Sequence, residues 1–210
     1  MPSIAADDER LVDQARAGDQ EAFAALVRRH GPALLRLARM YVSSDAVAEE
    51  VVQETWLAVL RGLERFEGRS SFRTWLFRIL VNRAKTRGVR EHRSVPFASL
   101  GGAGGGDDDE RGPAVDPSRF LADGAWASPP RRWQDDPEAA LRSKEARRIV
   151  EEAIAGLPER QRIVITMRDL EGLGSDEVRN VLDLSETNQR VLLHRARVKV
   201  REALDDWINT

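Results

Sequence analysis

An all-α fold, arranged as two small helical domains joined by a flexible linker, is what this 210-residue sequence predicts. Apolar residues recur at three- and four-residue spacing through 9–91 and 138–208, the period of helices with one buried face. Alternation with period two is scarce and aromatic residues make up only 6%, so strands have little to build on. Between the two periodic stretches, 92–137 carries six of the nine prolines and the run Gly101-Gly102-Ala103-Gly104-Gly105-Gly106-Asp107-Asp108-Asp109-Glu110. Glycine entropy and like-charge repulsion make that segment a linker.

The first domain reads as three main helices. Phe23, Leu26, Val27, Leu34, Leu37, Ala38 and Tyr41 share one helical face. A second helix starts at Ser44 or Asp45 and packs through Val52, Trp56, Val59, Leu60 and Leu63; a third runs from about Phe72 to Arg87 and packs through Phe72, Trp75, Leu76, Ile79 and Leu80. Gly62, Gly68 and Gly88 are expected in loops or at helix ends. About 80 residues suffice for an independent, if small, bundle.

The second domain is most legible from Leu157 to Arg201. A helix precedes a short one, which Ser175 is expected to N-cap with Asp176 and Glu177 in the favourable first turn. Val178, Val181 and Leu182 form its apolar stripe. Asp183-Leu184-Ser185 makes a turn, and Ser185 caps a last helix bearing Arg190, Arg195, Arg197, Lys199 and Arg201, with Leu193, Ala196 and Val200 inward. A bracing helix, a tight turn and a basic helix are the parts of a helix-turn-helix DNA reader.

Charge sharpens that reading. The net formal charge of −2 conceals a basic block over 61–93, with ten Lys and Arg against three Asp and Glu. Such a block inside an acidic chain is the footprint of a nucleic-acid surface, although a solvated helix face is the plainer alternative. With no cysteine, disulfides and thiolate chemistry are excluded, and His30, His92 and His194 lack ligand spacing. No metal, cofactor, catalytic residue or small-molecule substrate is expected, so the chain reads as a non-enzyme. The polar, acidic start is no signal peptide and no segment approaches the roughly 20 apolar residues of a membrane span, so a cytoplasmic protein is expected.

The stretches DAVAEEVVQETWLAVLRGLERFEGRSSFRTWLFRILVNRAK, LPERQR and LLHRAR, in that order, resemble the extracytoplasmic-function (ECF) sigma factors of bacterial RNA polymerase. The resemblance covers roughly 9–90 and 138–205. It implies region 2 over 9–91, a linker over 92–137 and region 4 over 138–208, with core RNA polymerase, promoter DNA and an anti-sigma factor as partners.

The same resemblance assigns roles. Glu49, Glu50, Gln53 and Glu54 form a polar stripe that implies docking on core polymerase, where the residues alone would also fit a solvated acidic face. The loop Phe66-Glu67-Gly68-Arg69-Ser70-Ser71 implies a pocket for a base flipped out of the minus-10 element, with Arg78, Asn82 and Lys85 on the following helix beside it. Phe66 or Phe72 also suits the core, and Trp75 is read as core before DNA platform. Glu186, Thr187, Asn188, Arg190, Val191, His194 and Arg195 match positions facing the minus-35 element, with Arg190 or Arg195 suited to guanine and Asn188 to adenine. Gln189, Val191 and Leu192 depart from the commonest family pattern, which has an apolar residue followed by polar ones there. Phe120, Leu121, Trp126 and Trp133 leave the linker equally suited to docking and to plain tethering. The linker's acids could also screen the basic block in the free chain, where the two domains are expected to fold back on each other. The competing reading is a conventional helix-turn-helix regulator with an N-terminal sensing or dimerisation domain; neither an effector pocket nor an apolar seam is evident for it.

Overall fold

The computed structural model describes residues 4–94 and 137–208. Among the described residues the architecture is helical throughout: α1 (Ile4–Arg16), α2 (Gln20–Ala38), α3 (Asp45–Gly62), α4 (Phe72–Ser94), α5 (Pro137–Ala155), α6 (Glu159–Ile165), α7 (Ser175–Leu182) and α8 (Glu186–Ile208). The expected linker tract, with its glycine run and its tryptophans, lies outside the described residues from 95 to 136. Among the described residues no helix is long and apolar enough to cross a membrane.

Packing divides these elements into two compact units. One comprises the residues up to Ser94 together with Thr166–Ser185; the other comprises 137–165 and 186–208. This division differs from the two sequence modules, because 166–185, with α7, groups with the N-terminal helices.

In the first unit, α1 packs on α2 and α4, α2 on α3 and α4, and α3 on α4. Leu26, Leu34, Leu37, Val59, Phe72, Leu76, Phe77, Leu80 and Val81 are fully buried between them. Local chemistry sets the helix starts. Asp19 Oδ1 accepts the N–H groups of Glu21 (2.9 Å) and Ala22 (3.1 Å) to begin α2. Ser44 Oγ accepts Val47 N–H at 3.3 Å to begin α3.

α1 has no counterpart among the three main helices that the sequence predicts for this domain. Leu11 and Val12 are buried, and so is Asp8. Asp8 meets the His30 Nε2 at 2.9 Å and the Arg29 guanidinium at 2.7 Å, both from α2. Burial alone would raise the Asp8 carboxyl, but the His30 and Arg29 bonds and charges outweigh it and hold it below the ordinary 3.8.

Gly88 corrects another expectation. It lies inside α4, where an added Cβ would sit 2.5 Å from the Tyr41 carbonyl oxygen. Close approach of the turn after α2 to the α4 backbone, rather than a chain turn at Gly88 itself, requires glycine there. Leu60, expected inward, is 55% exposed.

The 166–185 segment opens with a wide turn over Thr166–Leu170, where Glu171 N–H bonds to Thr166 carbonyl at 2.9 Å. α7 is N-capped by Gly174 and not by Ser175, which is already helical. Gly174 has the extended backbone of a cap, its carbonyl accepts Val178 N–H at 3.0 Å, and its own N–H reaches the Glu177 carboxylate at 2.8 Å. Asp183 ends α7 in the left-handed region (φ 58°), and α8 starts at Glu186, as the sequence reading placed the turn.

In the second unit, α5 and α6 pack on α8 and on each other. Ile154, Leu157, Ile163, Leu192, Leu193, Ala196 and Val200 are buried. Arg197 is buried as well, so it does not belong with the outward arginines. It follows Ala196 on a helix whose buried face spreads wider than one apolar stripe, and the aliphatic stem of arginine tolerates that position.

Candidate nucleic-acid interface

Three groups of side chains stand where the sequence placed functional residues. On α3, Glu49, Glu50, Gln53 and Glu54 are all exposed, while Val51, Thr55, Trp56 and Val59 face inward. Two of the acids are engaged by α4: Arg87 reaches Glu50 at 2.5 Å and Arg83 reaches Glu54 at 3.0 Å. Leu57 and Leu60, more than half exposed, continue the stripe with apolar surface. Acid flanked by exposed leucine is better suited to a protein partner than to a polyanion.

The second group is the loop leading into α4. Glu67, Gly68 and Arg69 are exposed, and Gly68 takes a positive φ of 69° that a side chain would strain. Arg69 pairs with Glu67 at 2.5 Å, a solvent-exposed contact that a phosphate can replace. The loop rests on an aromatic floor. Phe66 lies 4.8 Å from Trp75 between ring centroids, and Phe72 lies about 6 Å from both, at 6.1 and 6.0 Å. Phe72 is the core aromatic of the pair, whereas Phe66 and Trp75 are half-buried. Beyond the loop, Arg78, Asn82 and Lys85 all point to solvent from α4.

Sequence reasoning missed the residue that holds this loop in place. Arg16, at the end of α1, donates from Nε to the Leu63 carbonyl at 2.9 Å and from a terminal nitrogen to the Phe66 carbonyl. Its guanidinium also lies 5.8 Å from the Phe66 ring centroid. Local sequence carries no signal for a partner some fifty positions away.

Ser71 is already engaged. Its hydroxyl caps α4, accepting Thr74 N–H at 3.1 Å, and it donates to Glu177 Oε1 at 2.6 Å. The Thr74 hydroxyl donates to the same oxygen at 2.7 Å. Nearby, Glu171 accepts both Arg36 Nε (2.9 Å) and a terminal Arg36 nitrogen (2.8 Å), and Arg73 donates to the Glu171 carbonyl. Burial would raise the Glu177 carboxyl. The bonds from Ser71, Gly174 N–H and Thr74, with the Arg73 charge, outweigh burial and hold it below its ordinary 4.5. Glu177 was expected only as a dipole-favourable first-turn acid; its second role depends on a distant segment.

The third group lies at the start of α8. Glu186, Thr187, Asn188, Arg190 and Val191 are exposed, and His194 and Arg195 are half-buried. Arg190 pairs with Glu186 one turn earlier at 2.7 Å. Gln189 and Leu192 are buried, so the atypical run keeps an inward face at both positions. Val191 then falls on the open side.

Comparison with known proteins decides what these groups belong to. Residues 26–94 match the Sigma-70 region 2 family and residues 147–200 match Sigma-70, region 4. The chain is 35% identical over 201 residues to the ECF RNA polymerase sigma-E factors of Salmonella typhimurium and Escherichia coli, covering 96% of this chain and 94% of each relative. The chain belongs to the ECF sigma factors. Among solved structures, this sigma factor is similar to CnrH in complex with the cytosolic domain of CnrY, at 28% identity and a TM-score of 0.56, covering 95% of this chain and 98% of that one. It shares its fold with the sigma factor RpoE of Bartonella quintana, solved with the anti-sigma factor NepR, at 21% identity, a TM-score of 0.55, and 87% and 96% coverage. A sigma factor is a non-catalytic polymerase subunit, in keeping with the absence of any expected catalytic residue. The loop and α4 fall inside the region 2 match and the start of α8 inside the region 4 match, while Arg16 lies outside both.

Proposed function

We propose that this ECF sigma factor binds core RNA polymerase through the α3 stripe and directs promoter-specific initiation with two DNA-reading surfaces. Residues 9–91 act as the docking and minus-10 module and 138–208 as the minus-35 module. The observation that carries the reading is an exposed loop on an aromatic floor, heading a helix with Arg78, Asn82 and Lys85 on its open face. A flipped base needs a shaped cavity with backbone donors, and the separating strand needs cations for its phosphates. Phe66 to Ser71 supply the first and the α4 cations the second. At the start of α8, Arg190 can leave Glu186 for a guanine edge and Asn188 can address adenine, while Glu186, Thr187, Val191, His194 and Arg195 complete the facing surface.

Regulation follows the relatives. CnrH and RpoE were each solved with a protein partner, in the second case a named anti-sigma factor. An anti-sigma factor that covers the same docking faces would hold this chain inactive in the cytoplasm. The decisive experiment is run-off transcription with core polymerase on promoters selected from genomic fragments. Specific transcripts that require the added chain support the reading. Core binding without promoter selection, or no binding at all, overturns it.

A further inference from the structure

The head of α4 is occupied by acids from 166–185, a segment that the family matches place in a different module. Glu177 fills a cradle made by the Ser71 and Thr74 hydroxyls, and the Glu171 carboxylate accepts the Arg36 guanidinium; Arg73 donates to the Glu171 backbone carbonyl, with its guanidinium 3.8 Å from the carboxylate. These donors suit a phosphodiester as well as a carboxylate: two hydroxyls on one anionic oxygen, with arginines beside them. Ser71 closes the minus-10 loop, so whatever holds it also restricts the loop.

We propose that Glu171 and Glu177 are internal stand-ins for two backbone phosphates of the minus-10 strand, and that 166–185 competes with single-stranded DNA for the head of α4. This rests on the minus-10 assignment made above and adds the regulation of that surface. In the free chain the carboxylates hold the cradle. Single-stranded DNA binds only in the fraction of molecules where 166–185 has left it, so apparent affinity falls by that fraction. Any partner that draws 166–185 away exposes the cradle, which links engagement of that segment to minus-10 binding. The effect differs from screening by the linker acids because it depends on two named carboxylates with hydrogen-bond geometry.

The test uses the full chain and a fluorescein-labelled, randomised 12-nucleotide single-stranded DNA, at one fixed salt concentration. If roughly one molecule in ten is open, Glu177→Ala binds the probe about tenfold tighter than wild type. Asp176→Ala is the charge control: its side chain is 83% exposed and pairs with Arg179 instead of the cradle. Its affinity stays within about twofold of wild type, since one exposed charge shifts long-range electrostatics little. Equal affinities for wild type and Glu177→Ala overturn the proposal, as does an Asp176→Ala effect matching that of Glu177→Ala.

A second measurement exploits the lack of native cysteine. A Ser71→Cys thiol is labelled slowly by maleimide in the parent chain and several-fold faster when Glu177→Ala is added; equal rates overturn the proposal. Failure here is distinct from failure of the minus-10 assignment. If the wild-type chain supports run-off transcription and Ser71→Cys blocks promoter opening while the affinities stay equal, only the competition is lost. If the chain gives no promoter-specific transcript, the underlying reading goes too.

Discussion

Two surfaces of α4 meet acids in opposite ways. On its flank, Arg83 and Arg87 pair with Glu54 and Glu50 of α3, acids more than half exposed to solvent. At its head, Ser71, Arg73 and Thr74 meet Glu171 and Glu177, whose groups are partly or largely withdrawn from water. Exposed pairs are screened and readily exchanged, contributing about 0–1 kcal/mol each. A carboxylate desolvated among several donors is held more firmly and takes those donors away from other ligands. On the proposals above, the flank offers its acids to a protein while remaining paired, whereas the head has to release its acids before it can bind DNA.

The largest expected effect removes the floor under the head. Phe72→Ala should lower stability by about 3–5 kcal/mol in a urea titration, because a fully buried aromatic leaves a cavity between α4 and its neighbours. A loss below about 1 kcal/mol would mean that the aromatic cluster is not the foundation of the loop.

Asp8 extends the comparison to an acid that is almost wholly buried. Asp8→Ala should cost about 1–3 kcal/mol, since it strips a charged partner from the buried His30 ring. The sign of its pH dependence follows from the lowered carboxyl. Its contribution is present above the ordinary 3.8 and is lost as pH falls through the lower folded-state value. An acid titration followed by circular dichroism should therefore show Asp8→Asn unfolding with a shallower dependence on pH than wild type below about pH 4. Parallel curves would remove Asp8 as the cause.

Arg190→Ala should weaken binding to a minus-35 duplex by about 1–3 kcal/mol, with the loss confined to promoters carrying the contacted guanine. A uniform loss on all duplexes would make Arg190 a phosphate contact instead.

The smallest stability effect belongs to the flank. Glu50→Gln with Glu54→Gln should change stability by no more than about 1 kcal/mol, given the exposure of both pairs. The same variant should compete poorly for core polymerase against a reference sigma factor. Unimpaired competition would move the docking surface elsewhere, towards Leu57 and Leu60.

Much of this molecule was legible from local signals. The helix start at Ser44 or Asp45, the turn at Asp183–Ser185, and the inward set Leu193, Ala196 and Val200 rest on periodicity and capping, and the basic block on local composition. Those depend on residues within a turn or two of each other. The exposed positions of Glu49, Gln53, Asn82 and Asn188 follow from the same periods. Tertiary structure alone decided that Gly88 admits the Tyr41 carbonyl, that Asp8 and Arg197 go inside, and that Arg16 holds the loop. It also decided that Ser71 meets a carboxylate 106 positions away. A helix propensity or cap is written within a few residues, but which polar group meets a buried donor depends on which distant segment the packing delivers. That choice is a small difference between burial, charge and chain entropy, and no single stretch of sequence carries it.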